Sequence, residues 1–150
     1  MAVWKPSVTV AAVFERDGRF LLVEEVSEGR RVLNQPAGHL DPDESLVAAC
    51  AREVMEETAH RFEPRALVGV YRWHYAAADV TFLRFCFCGE VLGQEQGRAL
   101  DKEIVALHWL TPAELRGRAA EHRSPLVGQC VADYLSGRRY PLELFSAAFR

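Results

Sequence analysis

One stretch, from about Pro42 or Glu44 to about Ala59, carries two surfaces that cannot share one environment, and it restricts the fold more than any other. At about 100° per residue, Val47, Cys50, Ala51, Val54 and Thr58 fall on one apolar stripe. Glu53, Glu56 and Glu57 stand at i, i+3 and i+4 and share a second face. Such a helix must bury one side against another layer while presenting its carboxylates elsewhere. Asp41 is placed to cap it, with Pro42 at the first helical position and Glu44 reaching back as a capping box. Capping by Asp43 fits the same residues.

The segments around this helix read mainly as strands. Val8 to Phe14 is rich in β-branched residues, and Asp17-Gly18 turns it into Phe20-Leu21-Leu22-Val23, a hairpin signal. Ser27 to Arg31 reads as a polar loop, and Val32 to Pro36 as a short extended piece. Ala66 to Tyr75 and Val80 to Val91 read as strands, and Ile104 to Leu110 as the last one, after a polar loop from Gly93 to Lys102. Thr111-Pro112-Ala113-Glu114 caps a short helix, and Ser124-Pro125 opens a longer one reaching Tyr134 or Ser136. Helices flanking strands give an α+β class with helices packed on a mixed sheet. At 150 residues, 49% of them hydrophobic, the chain has enough material for one core, and no repeat or linker divides it, so residues 1–150 are expected to form a single domain.

Composition also excludes some functions. A net charge of −3 provides no basic stripe for a nucleic-acid polymer. No stretch approaches the ~18 apolar residues of a membrane span, and Met1 to Pro6 holds no apolar signal region. Cys50, Cys86, Cys88 and Cys130 form no C-x-x-C pair, so reduced structural thiols and a cytoplasmic location are expected.

Three carboxylates on adjacent turns repel one another, by a few tenths of a kcal/mol per exposed pair and more when desolvated. Arg52 can relieve Glu56 at i+4, but one arginine does not balance three acids. An acidic helix face is commonly just solvated. A hard divalent cation is the other solution, since Mg²⁺ prefers carboxylate and water oxygens and bridges to substrate phosphates.

The spacing around these residues favours the cation. Five residues separate Gly38 from Glu44, and seven more precede Arg52-Glu53-Val54-Met55-Glu56-Glu57. This resembles the Nudix box at Gly38, Glu44, Arg52, Glu53, Val54, Glu56 and Glu57. The resemblance implies a Nudix fold, an α/β/α sandwich around a mixed β-sheet, and a hydrolase of phosphoanhydride bonds. It implies that Glu53, Glu56 and Glu57, helped by the Gly38 carbonyl, hold Mg²⁺ or Mn²⁺. Glu44 and Arg52 would be structural, tying loop to helix. The box departs from the pattern at Ala59 and His60, where Gly and an aliphatic residue are usual. A left-handed stop costs alanine about 1 kcal/mol, so a different helix end is expected. His60 is either a helix-end histidine supporting the site from behind or a catalytic one.

Asn34-Gln35-Pro36-Ala37-Gly38-His39-Leu40, Phe82-Leu83-Arg84-Phe85 and Arg139-Tyr140-Pro141-Leu142-Glu143 are similar to segments of the NudJ-type phosphatases in that family. The implied substrates are nucleoside tri- and diphosphates and thiamine-related pyrophosphates such as hydroxymethylpyrimidine pyrophosphate, with release of orthophosphate. Cleavage of ADP-ribose or a nucleotide sugar is the alternative in the same class, and a non-catalytic nucleotide-binding module the alternative in another. The general base is Glu53 or Glu103. Trp4, Tyr71, Trp73 and Tyr75 could stack a base, though sheet packing also explains the last three. Asn34 and Gln35 could read a base edge or phosphate. Arg84, among apolar residues, needs an anionic partner, either a protein carboxylate or the substrate phosphate. The expected partner is a small phosphorylated substrate, for a monomer or a homodimer.

Overall fold

In a computed structural model that describes residues 1–149, the acidic helix forms as α1 (Leu46–Thr58). It begins later than expected. Ser45, and neither Asp41 nor Asp43, is the cap, its hydroxyl accepting the Ala48 N–H at 3.0 Å. Glu44 does reach back to the Asp41 N–H, at 2.8 Å, but that bond closes a turn ahead of the helix. Asp43, at φ 64°, takes the chain off the helical path.

The helix end corrects a second expectation. Ala59 does adopt the left-handed stop, at φ 58° and ψ 21°, and its N–H donates to the Met55 carbonyl. Tertiary contacts hold it there. Its carbonyl accepts the Glu95 N–H at 2.8 Å, and the Thr58 hydroxyl donates to the Val54 carbonyl at 2.7 Å. These bonds offset a strain of about 1 kcal/mol.

The strands in chain order are β1 (Ser7–Val13), β2 (Glu15–Arg16), β3 (Arg19–Ser27), β4 (Arg30–Asn34), β5 (Ala37–His39), β6 (His60–Tyr75), β7 (Val80–Gln94), β8 (Ile104–Leu110) and β9 (Tyr140–Pro141). The first sheet runs β5-β1-β7-β6-β9, with β1 parallel to β7 and the other neighbours antiparallel. The second runs β2-β3-β4, with β8 on the far side of β3. The expected hairpin from Val8 is thus only partly right. Asp17-Gly18 pairs β2 with β3, but β1 lies in the other sheet, and the chain changes sheets at Phe14. Likewise β6 starts at His60, directly after the helix stop, rather than at Ala66.

Two further helices follow, α2 (Pro112–Gly117) and α3 (Leu126–Leu135). Thr111 and Glu114 form the expected capping box on α2. Alternation along β1 builds both cores. Val10, Ala12 and Phe14 pack with Ala49, Cys50 and Val54 of α1, whereas Ala11 and Val13 join Val127, Cys130 and Val131 of α3. The result is α+β, a mixed sheet with helices on its two faces. All four cysteines are free and buried. Among the described residues no helix is long and apolar enough to cross a membrane.

Candidate active site

The loop before α1, the helix itself and the ends of β4 and β7 meet around a cavity of about 300 Å³. Its walls include Gly38, Glu53, Glu57, Arg84 and Glu103 of the residues singled out in the sequence, together with Asn34 and Trp73. The volume lies at the small end for ligand pockets.

Gly38 stands in β5 because the Glu53 carboxylate lies against it. A β-carbon at position 38 would meet the carboxyl carbon and oxygens of Glu53 at 2.2 to 2.4 Å. Close approach, and no special φ, demands the glycine. Glu57 reaches the same loop and accepts the Ala37 N–H at 2.8 Å. Behind them Arg52 ties loop to helix. It donates to Glu44 at 3.0 and 2.7 Å, to the His39 carbonyl at 3.0 Å, to Glu53 at 2.8 Å and to Glu56 at 3.2 Å. The Arg52 bond is the main cause holding the Glu44 carboxyl below its usual range.

Arg52 does not neutralise the site. Burial, reinforced by Glu25, Glu53 and Asp101, pushes Glu57 up to about 9. Burial also raises Glu53, against the opposing pull of Arg52. Glu56 is not on the cavity wall, but its carboxylate lies with those of Glu53 and Asp101, with oxygens all within 4.8 Å of one another. Asp101 is raised too, by burial and then by Glu56 and Glu103. Carboxylates crowded this closely, with Glu53 buried and Glu56 and Asp101 partly so, favour protons or a hard cation. The donor set is all oxygen, and it fits a divalent ion of the Mg²⁺ or Mn²⁺ kind.

Arg84 has no carboxylate partner within ion-pair distance among the described residues. Its guanidinium, 6% exposed on β7, donates to the amide oxygens of Gln35 at 2.9 Å and Asn34 at 3.0 Å. That leaves a buried positive charge on the cavity wall. Gln35 itself is not on that wall. It is 1% exposed, and its amide nitrogen donates to the Val127 carbonyl at 2.7 Å, so the expectation of direct substrate contact gives way to one of holding Arg84. Trp73 packs against Tyr75 and against Phe82, with ring centroids 5.4 and 5.8 Å away and planes close to parallel, and both Trp73 and Phe82 line the cavity. Trp4 is exposed and lies outside the lining. Tyr71 turns to the α3 side, where its hydroxyl donates to Asp133 at 2.7 Å.

His60 is not in the cavity. Its ring is buried edge-on against Phe14, with centroids 5.1 Å apart, and Nδ1 lies 2.9 Å from the Thr58 carbonyl. Burial lowers its proton affinity, so it remains a neutral packing residue at the helix end.

A family model for the NUDIX domain matches residues 3–130. The chain belongs to the Nudix family. It is 43% identical over 143 residues to phosphatase NudJ of Escherichia coli strain K12, covering 95% of this chain and 92% of that protein. A Nudix hydrolase from Nitrosomonas europaea superposes with a TM-score of 0.92 at 51% identity, over 95% of this chain and 97% of the other. A MutT protein from Methanosarcina mazei shares the fold alone, with a TM-score of 0.74 at 21% identity over 92% and 100% of the two chains. The protein is accordingly a Nudix hydrolase acting on pyrophosphate bonds.

Sequence reasoning missed three site residues of this Nudix hydrolase. Asp101 arrives because its N–H donates to the Glu56 carbonyl in the last turn of α1, at 3.0 Å. Glu25 and Arg123 both line the cavity and pair at 2.7 Å across a separation of 98 residues. Strand alternation could have flagged Glu25, an acid on the inward side of β3 after the buried Leu21 and Val23.

Proposed function

We propose that this Nudix hydrolase removes terminal phosphate from small nucleoside di- and triphosphates, or from pyrimidine-bearing diphosphates of similar size, with Mg²⁺ as cofactor, acting as one domain over residues 1–150. The observation that carries the reading is the pairing of two opposite demands on one cavity. Glu53 and Glu57 line the cavity, the Glu56 and Asp101 carboxylates cluster with that of Glu53, and Arg84 offers the same cavity a buried cation that has no acidic partner among the described residues. A short phosphate chain bridging a metal and an arginine satisfies both. The 43% identity to phosphatase NudJ supports orthophosphate as the product.

Glu53, Glu56, Glu57 and Asp101 would hold the cation. When bound, it would neutralise phosphate charge and polarise the scissile phosphorus centre. Arg84, fixed by Asn34 and Gln35, clamps the phosphate and orients it for in-line attack. Glu53 already accepts a hydrogen bond from Arg52, so Glu103, on the cavity wall, takes the proton from the attacking water. The water oxygen bonds to phosphorus as the bond to the bridging oxygen breaks. Trp73 and Phe82 provide a flat apolar surface for the rest of the substrate.

A substrate panel with Mg²⁺ that resolves orthophosphate, pyrophosphate and nucleoside monophosphate tests the reading. Orthophosphate from nucleoside di- and triphosphates is expected. AMP from ADP-ribose, with no orthophosphate from any nucleotide, would move the activity to internal diphosphate bonds.

A further inference from the structure

Glu25 has no place in the proposed chemistry, yet it sits in the cavity that serves it. The strand that carries it explains how it gets there. Along β3, Glu24 turns to the other face, toward Arg31 and His108, and a register shift against β8 falls between Glu24 and Glu25. Glu25 then points inward with a side chain only 8% exposed. A second carboxylate beside Glu57 is costly at a site for anions, and Glu25 is among the charges that raise Glu57.

Its hydrogen bonds are one-sided. Oε1 accepts from Arg123 at 2.7 Å and from the Asn34 amide nitrogen at 3.4 Å. No donor meets Oε2. Among the described residues no side-chain oxygen or nitrogen is both sealed from solvent and without a partner, so Oε2 opens onto the cavity that Glu25 lines. Asn34 has no freedom to turn away, because its oxygen accepts from Arg84 and its nitrogen donates to Glu25. The arrangement is a charge-balanced Glu25–Arg123 pair that leaves one strong acceptor facing the cavity that Trp73 and Phe82 also line.

We propose that Glu25 is a specificity residue, whose Oε2 accepts an N–H from the amino group of a pyrimidine ring laid on Trp73 and Phe82. This rests on the phosphohydrolase reading above and narrows its substrates. A carboxylate accepts well from the amino group of a cytosine-type ring. A uracil-type ring presents a carbonyl oxygen at that position, and two acceptors facing each other leave both unpaired. The cavity of about 300 Å³ suits one small ring with a short phosphate chain.

Replacement by glutamine gives the decisive test. In Glu25→Gln, Arg123 still donates to the side-chain oxygen, which turns the amide nitrogen, a donor, toward the cavity. Rates with CTP and UTP are measured for the native protein and the variant, alongside thermal shifts with CMP and UMP. The native protein should favour CTP by about 10-fold or more in kcat/KM, and the variant should lose or reverse that preference. CMP should raise the native melting temperature more than UMP. Equal losses on CTP and UTP in Glu25→Gln, with the ratio unchanged, would overturn the proposal and leave Glu25 a packing residue. The native comparison needs no variant, so it stands even if Glu25→Gln fails to fold. If no nucleotide yields orthophosphate, the phosphohydrolase reading fails, but CMP against UMP still decides Glu25. Equal shifts, or a larger one with UMP, would refute it.

Discussion

The two walls of the cavity are built by different means. The carboxylate wall comes from one loop and one helix, with Gly38, Glu53 and Glu57 on it and Glu56 clustered with Glu53, all within twenty residues of one another. The other wall gathers Glu25 from β3, next to Glu57, with Asn34 from the end of β4, Arg84 from β7 and Arg123 from the turn before α3. The first wall is too negative by itself, and on the second Arg84 holds a positive charge that no acid meets among the described residues. Helical periodicity alone places the first. The second depends on sheet register, where a slip of one residue would turn Arg84 or Glu25 to the other face. The difference suggests a division of labour. On the proposed reading, the local wall would carry the hydrolysis and the assembled wall the choice of substrate.

The strongest way to break the local wall is at Gly38. Gly38→Ala puts a β-carbon where the Glu53 carboxylate now lies, so Glu53 must move. A displacement of about 1 Å at a catalytic group costs about 100-fold, and a loss of that size in kcat is expected with the fold retained. Activity within about twofold of native would show that the close approach is not needed.

A smaller effect is expected on the assembled wall. Arg84→Lys keeps the charge but loses the planar fork that Asn34 and Gln35 grip. KM for a nucleoside triphosphate should rise about 10-fold, the value of one charge-assisted hydrogen bond. An unchanged KM would remove Arg84 from substrate binding.

The mildest effect sharpens the electrostatic contrast. Glu57 is pushed up to about 9 in the metal-free protein, well above its ordinary value. Between the two values the folded chain holds a proton that the unfolded chain has lost. Metal-free stability from this group therefore falls as pH rises through that window. A cation must displace that proton, so Mg²⁺ should raise the melting temperature more at about pH 8 than at about pH 5. A shift that is equal at both, or greater in acid, would contradict the assignment of Glu57 to the metal.

The same contrast sets what could be read in advance. The acidic face of α1, the capping box at Thr111 and the strand Ile104–Leu110 were legible because each is written in neighbouring residues. The start of α1 was misplaced because Asp41, Asp43 and Ser45 are all competent caps, and only the left-handed Asp43 excludes the earlier two. Ala59 was misjudged because the bond to its carbonyl comes from Glu95, just past the end of β7 and distant in sequence. Asp101 could not be placed, since a backbone bond to Glu56 across the β7–β8 loop brings it to the site. Arg84 was readable as a residue in need of an anion. That its protein neighbours would be two amide oxygens was not.

The central claim is that the α1 carboxylates hold the cation that hydrolysis requires. Glu57→Gln tests it most directly, because glutamine can still accept the Ala37 N–H while losing the charge. Orthophosphate release is measured against Mg²⁺ concentration for the native protein and the variant, with thermal unfolding as the control for folding. A kcat loss of about 100-fold or more is predicted, with a metal-free melting temperature equal to or above native. Full activity with an unchanged Mg²⁺ dependence would contradict the claim.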